Sequence, residues 1–236
     1  MIRALSLRQP WLWAVTDLGK PIENRRWYTA HRGPFWLHAA KGCTRIECKE
    51  ALVWMHDVGV LTGAQESAIH ELIRLPSTWP GFDNLERGGV CGYAELVDVI
   101  EPIRMWGPHL LRRKATERGI GPQALEKCAG DLLAWERPND VAYVEAAVQV
   151  LGVSVSREDL RWWMPEQYGF VLRAVRKFPR VDCRGMLNFF RIPPEIEEVA
   201  ERAIMGKCPC ESRLVAIGPG HLPSCPFSNP DHGIAT

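Results

Sequence analysis

Gly19-Lys20-Pro21-Ile22-Glu23-Asn24-Arg25-Arg26-Trp27 places a lysine, a glutamate and two arginines within seven positions, between an apolar helix signal and a strand-like run. Charges that dense beside core-forming segments fit a polar pocket at a barrel mouth, where ionic heads stay wet or paired while their apolar neighbours are buried. The competing reading is a solvated turn, because Gly-Lys-Pro after a helix is ordinary stop chemistry. Glu23 and Arg25, two positions apart in an extended segment, point to the same side. One carboxylate and its neighbouring cations can then share a hollow.

Upstream, Arg3 to Leu7 reads as a short strand, and Pro10 suits the first turn of a helix. Trp11, Ala14, Val15 and Leu18 recur at i, i+3, i+4 and i+7 as one apolar stripe, which Gly19 closes in a left-handed conformation. Downstream, 34–41 lies between Gly33 and Gly42 and reads as a buried strand. Its His38 is read as a satisfied core imidazole ahead of a catalytic group. Thr44-Arg45-Ile46-Glu47 is a capping-box pattern that opens a helix to about Val58, and Thr62 to Gln65 repeats the signature before a helix over 67–75. Residues 76–89 form a loop rich in Pro and Gly.

The run from Gly89 to Ile100 is the clearest strand, and its imperfect alternation predicts a bulge near its end or burial on both faces. From 104 to 161 the pattern turns helical and reads as a cap over the core. Trp162 and Trp163 are either a base-stacking platform or packing, with packing preferred. Tyr168 to Val175 and Asn188 to Ile192 read as further strands, and Pro193-Pro194 opens an acidic helix to Met205.

The 236 residues are 46% hydrophobic and 24% charged, proportions that permit a folded core and argue against disorder. No run reaches the roughly 18 apolar residues that would span a bilayer. The apolar start is cut short by Arg8 and Gln9, too soon for a signal peptide. A cytoplasmic protein without membrane contact is the expectation. Eight scattered cysteines fit reduced thiols better than a disulfide scaffold. The net charge of +1 hides an asymmetry, since residues 1–50 carry nine basic side chains against four acids. Arg173, Arg176, Lys177, Arg180 and Arg184 make a second basic cluster. If the two are neighbours in space they form a face suited to phosphates; otherwise the charge is dispersed and solubilising.

The chain resembles the ASCH domain family, small barrels related to the PUA RNA-binding domains. The resemblance rests on Ala4-Leu5-Ser6-Leu7-Arg8-Gln9-Pro10-Trp11 and on Gly19-Lys20-Pro21-Ile22-Glu23-Asn24-Arg25 against the family's G-x-K-x-x-E-x-R signature. Arg32-Gly33-Pro34 leading into His38-Ala39 extends it. The glycine here directly precedes the lysine, without the family's intervening residue. The resemblance covers roughly residues 2–41, 88–102 and 166–192. It implies an α+β fold: a PUA-like, partly open β-barrel of five or six mostly antiparallel strands with flanking helices. The barrel domain would comprise 1–103 and 162–205, interrupted by a helical insertion over 104–161 and followed by a Cys/Pro-rich tail over 206–236.

The same resemblance implies RNA or a modified nucleotide as ligand, held in the cleft by Lys20, Glu23 and Arg25. Some small members resemble amidohydrolases acting on N4-acylcytidine through a lysine that matches Lys20. The threonine they use falls on Glu23 here, so a threonine nucleophile is absent. Other members are linked to RNA cleavage, so a hydrolase on the same scaffold is the alternative function. Lys20 and Glu23 are the candidate catalytic pair, a buried lysine being a base whose proton affinity burial lowers and a carboxylate restores. The candidate ligand-binding set is Arg8, Trp11, Lys20, Glu23, Arg25, Arg26, His38 and Lys41. An internal ion-pair network that closes the barrel is the purely structural reading of Lys20, Glu23 and Arg25. A third class is an interaction module whose helical cap meets a transcription or translation factor.

No cofactor is expected for the barrel. In the tail, Cys208, Cys210, His221 and Cys225 offer thiol and imidazole for a structural zinc ion. The alternative there is a proline-rich disordered end.

Overall fold

The computed structural model describes residues 1–61, 80–102 and 155–205, with isolated positions at 113, 116, 117, 119 and 152. The elements run β1 (Arg3–Leu7), α1 (Trp11–Asp17), β2 (Ile22–Arg25), β3 (Gly33–Ala39), α2 (Arg45–Asp57), α3 (Pro80–Asp83), β4 (Gly89–Ile100), α4 (Arg157–Leu160), β5 (Tyr168–Asp182), β6 (Phe189–Arg191) and α5 (Pro194–Ile204). The one-turn helix α3 lies where the sequence reads as loop. The helix expected over 67–75, most of the helical insertion expected over 104–161 and the expected tail with Cys208, Cys210, His221 and Cys225 lie outside the described residues.

Six strands form one mixed sheet in the order β2-β5-β4-β3-β1-β6. Only β1 and β3 run parallel; the other neighbours are antiparallel. The sheet curls into a half-barrel with flanking helices, the α+β architecture that the resemblance implied. Bulges supply the curl, because an extra residue on one strand bends it and increases its twist. Val97 is the extra residue near the end of β4, between the pairs Leu96↔Leu172 and Asp98↔Val171. β4 is also largely buried on both faces, so both readings of its imperfect alternation hold. On β5 the pairing shifts again around Ala174, whose φ of 51° lies in the left-handed region. That bend lets β5 continue to Asp182, well past the Val175 end read from the sequence.

Strand alternation sorts the core. Leu5, Leu7, Phe35, Leu37 and Ala39 face one way and pack with Leu12 and Val15 of α1. Ala4, Trp36, Phe178 and Phe190 face the other way and are covered by Ala200 and Ala203 of α5. A third cluster holds Leu52 and Met55 of α2 with Ile22, Trp162 and Trp163. Both tryptophans are thus packing residues. Thr44 caps α2 with the predicted box, its hydroxyl accepting from the Glu47 N–H while the Glu47 carboxylate accepts from the Thr44 N–H. Among the described residues no helix is long and apolar enough to cross a membrane.

Candidate functional site

The stretch from Gly19 to Arg25 is held from its first residue. Gly19 has φ 71° after α1, the left-handed conformation that ends many helices, and the Lys20 N–H donates back to the Ala14 carbonyl at 2.9 Å. This turns the Lys20 side chain inward, where it is 1% exposed. Its Nζ lies 2.6 Å from Glu23 Oε2 and 5.4 Å from the Trp11 ring centroid. Burial pushes the Lys20 amine below its ordinary pKa, with the Glu23 carboxylate opposing that shift and Arg25 reinforcing it. Glu23, itself buried, has its other oxygen 3.2 Å from Arg25 Nε. Arg25 then reaches out of β2 and donates from Nη2 to the Ser6 main-chain carbonyl at 2.6 Å. A side chain of one edge strand thereby stitches β2 to β1 across the open side of the half-barrel.

Arg25 also marks the boundary between core and solvent. It lines a cleft of about 1360 Å³ whose walls include Ser6, Arg8, Trp27, His38, Lys41 and Arg87, with residues 180 and 182–188 opposite. Six lining side chains are cationic (Arg8, Arg25, Lys41, Arg87, Arg180 and Arg184), against the single carboxylate of Asp182. Four of the six are already engaged. Arg8 pairs with Glu47 at 2.8 Å, Arg25 with Glu23, and Arg180 with Asp182 at 3.1 Å. Arg87 donates to the Phe82 carbonyl and stacks 4.2 Å above its ring. Lys41 and Arg184 are exposed and have no acidic partner among the described residues.

The wall over residues 183–188 is fastened to the sheet by His38 and Ser6. His38 is 1% exposed. Its Nε2 lies 3.1 Å from the Cys183 carbonyl oxygen, which can only accept, so the neutral ring carries its proton there. Its Nδ1 faces Ser6 Oγ at 3.0 Å, and the same hydroxyl lies 3.1 Å from the Met186 carbonyl. Burial lowers the His38 pKa, so the ring is neutral near pH 7. Gly185 passes so close that a Cβ there would collide with the His38 ring and with Ser6 Oγ. Met186 and Leu187 point outward, 60% and 90% exposed.

The expected residues therefore separate. Arg8, Arg25, His38 and Lys41 meet at the cleft. Lys20 and Glu23 lie beneath it as a closed ion pair. Trp11 lines a separate hollow of about 320 Å³ shared with Arg8, Glu47 and Trp54, and Arg26 is exposed outside the cleft lining. Of the second basic cluster, Arg180 and Arg184 join the first at the cleft. Arg173 and Lys177 pair with Asp159 and Asp17. Sequence reasoning passed over Trp27, Arg87, Met186 and Leu187. Only Trp27, which directly follows the charged run, carried a local signal.

The described thiols Cys43, Cys48, Cys91 and Cys183 are free. Cys48 and Cys91 are pushed up to about 12 by burial, so neither is a nucleophile. No group of three or more metal-binding side chains occurs among the described residues. A protein-family model described as ASCH domain matches residues 5–178. No curated protein matches the chain.

Proposed function

The chain belongs to the ASCH domain family, and from this we propose that its cleft binds RNA or a modified nucleotide. The observation that carries the reading is the meeting of six cations with one acid in a single concavity, two of the cations being unpaired among the described residues. Such a hollow attracts phosphate oxygens and releases condensed counterions when it takes them. Lys41 and Arg184 contact phosphates as freely placed charges. Arg25 offers a planar guanidinium whose direction is held by Glu23, with Lys20 neutralising that carboxylate from below. Arg8, Arg87 and Arg180 add to the field.

The test is fluorescence anisotropy of a labelled single-stranded RNA titrated with the wild-type chain and with Lys41→Glu/Arg184→Glu. The double variant loses at least about tenfold in affinity. Its dependence of log K on log salt is shallower by about 1.4, the share of two single-strand phosphate contacts. Unchanged affinity and unchanged slope would overturn the reading. One observation favours a hydrolase instead: an amine held low by burial at 2.6 Å from a carboxylate is equipment for proton transfer. Turnover of N4-acetylcytidine or cleavage of the labelled RNA, abolished in Lys20→Met, would replace binding with catalysis.

A further inference from the structure

We infer that the cleft takes an unpaired nucleotide of single-stranded RNA, seating its base against Trp27, Met186 and Leu187 while Lys41 and Arg184 hold the flanking phosphates. The inference rests on the RNA-binding reading and adds which form of RNA is selected.

Met186 and Leu187 carry it. Large apolar side chains exposed at a cleft wall mark a contact surface when the backbone beneath them is fixed. This backbone is fixed by the bond from His38 to the Cys183 carbonyl and by the Ser6 hydroxyl, whose one proton is shared between the Met186 carbonyl and His38 Nδ1. Gly185 lies against both side chains with no room for a Cβ. The exposure of Leu187 is therefore a presented feature of a fastened loop. Trp27, lining the same cleft, is equally constrained. Its ring meets Phe170 and Phe189 edgewise at centroid distances of 5.2 Å and 6.0 Å, with interplanar angles of 84° and 87°.

The cleft thus joins a fixed aromatic and two apolar side chains to six cations in one lining. A matching ligand has a flat apolar part and anionic groups on either side of it, which describes an unstacked nucleotide. In a duplex the bases are stacked and paired and cannot meet this surface. An inorganic polyanion satisfies the cations and leaves the apolar wall exposed.

The experiment compares a labelled single-stranded RNA with a duplex of the same length, and uses inorganic polyphosphate as competitor. Wild-type chain prefers the single strand by about tenfold or more. Met186→Ser/Leu187→Ser changes exposed positions only, so its fold is retained. It loses about ten- to a hundredfold toward the single strand, the range set by losing a stacked base, and keeps its affinity for polyphosphate. Equal binding of duplex and single strand would overturn the inference, as would single-strand affinity unchanged in the variant, while leaving the cationic reading intact. A variant weakened equally toward RNA and polyphosphate would also overturn it, since the loop would then only shape the wall. Absence of binding to RNA and polyphosphate alike would overturn both readings.

Discussion

Lys20 shows how a single buried cation can organise a fold. Its amine, Glu23 and Arg25 form a chain of charge that runs from the core to the cleft. Removing one partner of a buried pair strands the other charge, which costs about 3–5 kcal/mol, more than the pair contributes when intact. Lys20→Met should therefore lower unfolding free energy by that amount in chemical denaturation. Lys20→Met/Glu23→Leu should be less destabilised than the single variant, because no carboxylate is left without its amine. A single-variant cost below about 1 kcal/mol would show that Arg25, 3.2 Å from the other Glu23 oxygen, suffices as its partner. His38 makes a pH prediction. Its pKa in the fold lies below the ordinary 6.5, so between that depressed value and 6.5 the unfolded chain binds more protons than the folded one. Stability then falls as pH drops through this window and levels off below it. His31 is shifted the same way by partial burial and adds to the slope. His38→Gln should make this slope shallower, leaving the His31 share among the described histidines, read from denaturation midpoints between pH 7.5 and 5.

Among the elements, β5 and the segment after it do most to shape the site. The bulge at Ala174 bends a fifteen-residue strand, and Pro179 sits where the pairing is again irregular, a position that needs no ladder N–H. The strand then delivers Arg180 to the cleft, and residues 183–188 return toward β6 across His38 and Ser6. Gly185→Ala should cost about 1–3 kcal/mol by overpacking and weaken RNA binding by displacing Arg184, Met186 and Leu187 together. Gly42→Ala, where a Cβ would meet only Arg8 Nη2 at an ordinary 3.7 Å, should leave stability within about 0.5 kcal/mol. Equal stability of the two variants would show that the wall yields. The same elements show what was legible beforehand. The capping box at Thr44, the left-handed Gly19 and the late bulge in β4 are local chemistry, and each was readable from a few neighbouring residues. The length of β5 was not, because a strand that bends at a bulge breaks the alternation by which strands are recognised.

Across the whole chain, the nearly neutral net charge conceals a cleft where cations outnumber acids six to one. Arg8, Arg25 and Lys41 come from the first fifth of the sequence, and Arg180 and Arg184 from its last third. They meet because β1, β3, β4 and β5 share one curled sheet, and Arg25 closes its open side through the Ser6 carbonyl. The amino-acid pattern alone determined the family signature and the clustering of Lys20, Glu23 and Arg25, which depend on short-range spacing, and the resemblance that these residues carry implied the α+β class. Only the tertiary structure decided that Lys20 and Glu23 lie beneath the cleft while Arg25 opens onto it, and that Trp27, Met186 and Leu187 complete its wall. Burial and long-range proximity depend on how strands pair and bend, and the covalent order of residues does not encode which side chain reaches solvent across a curled sheet.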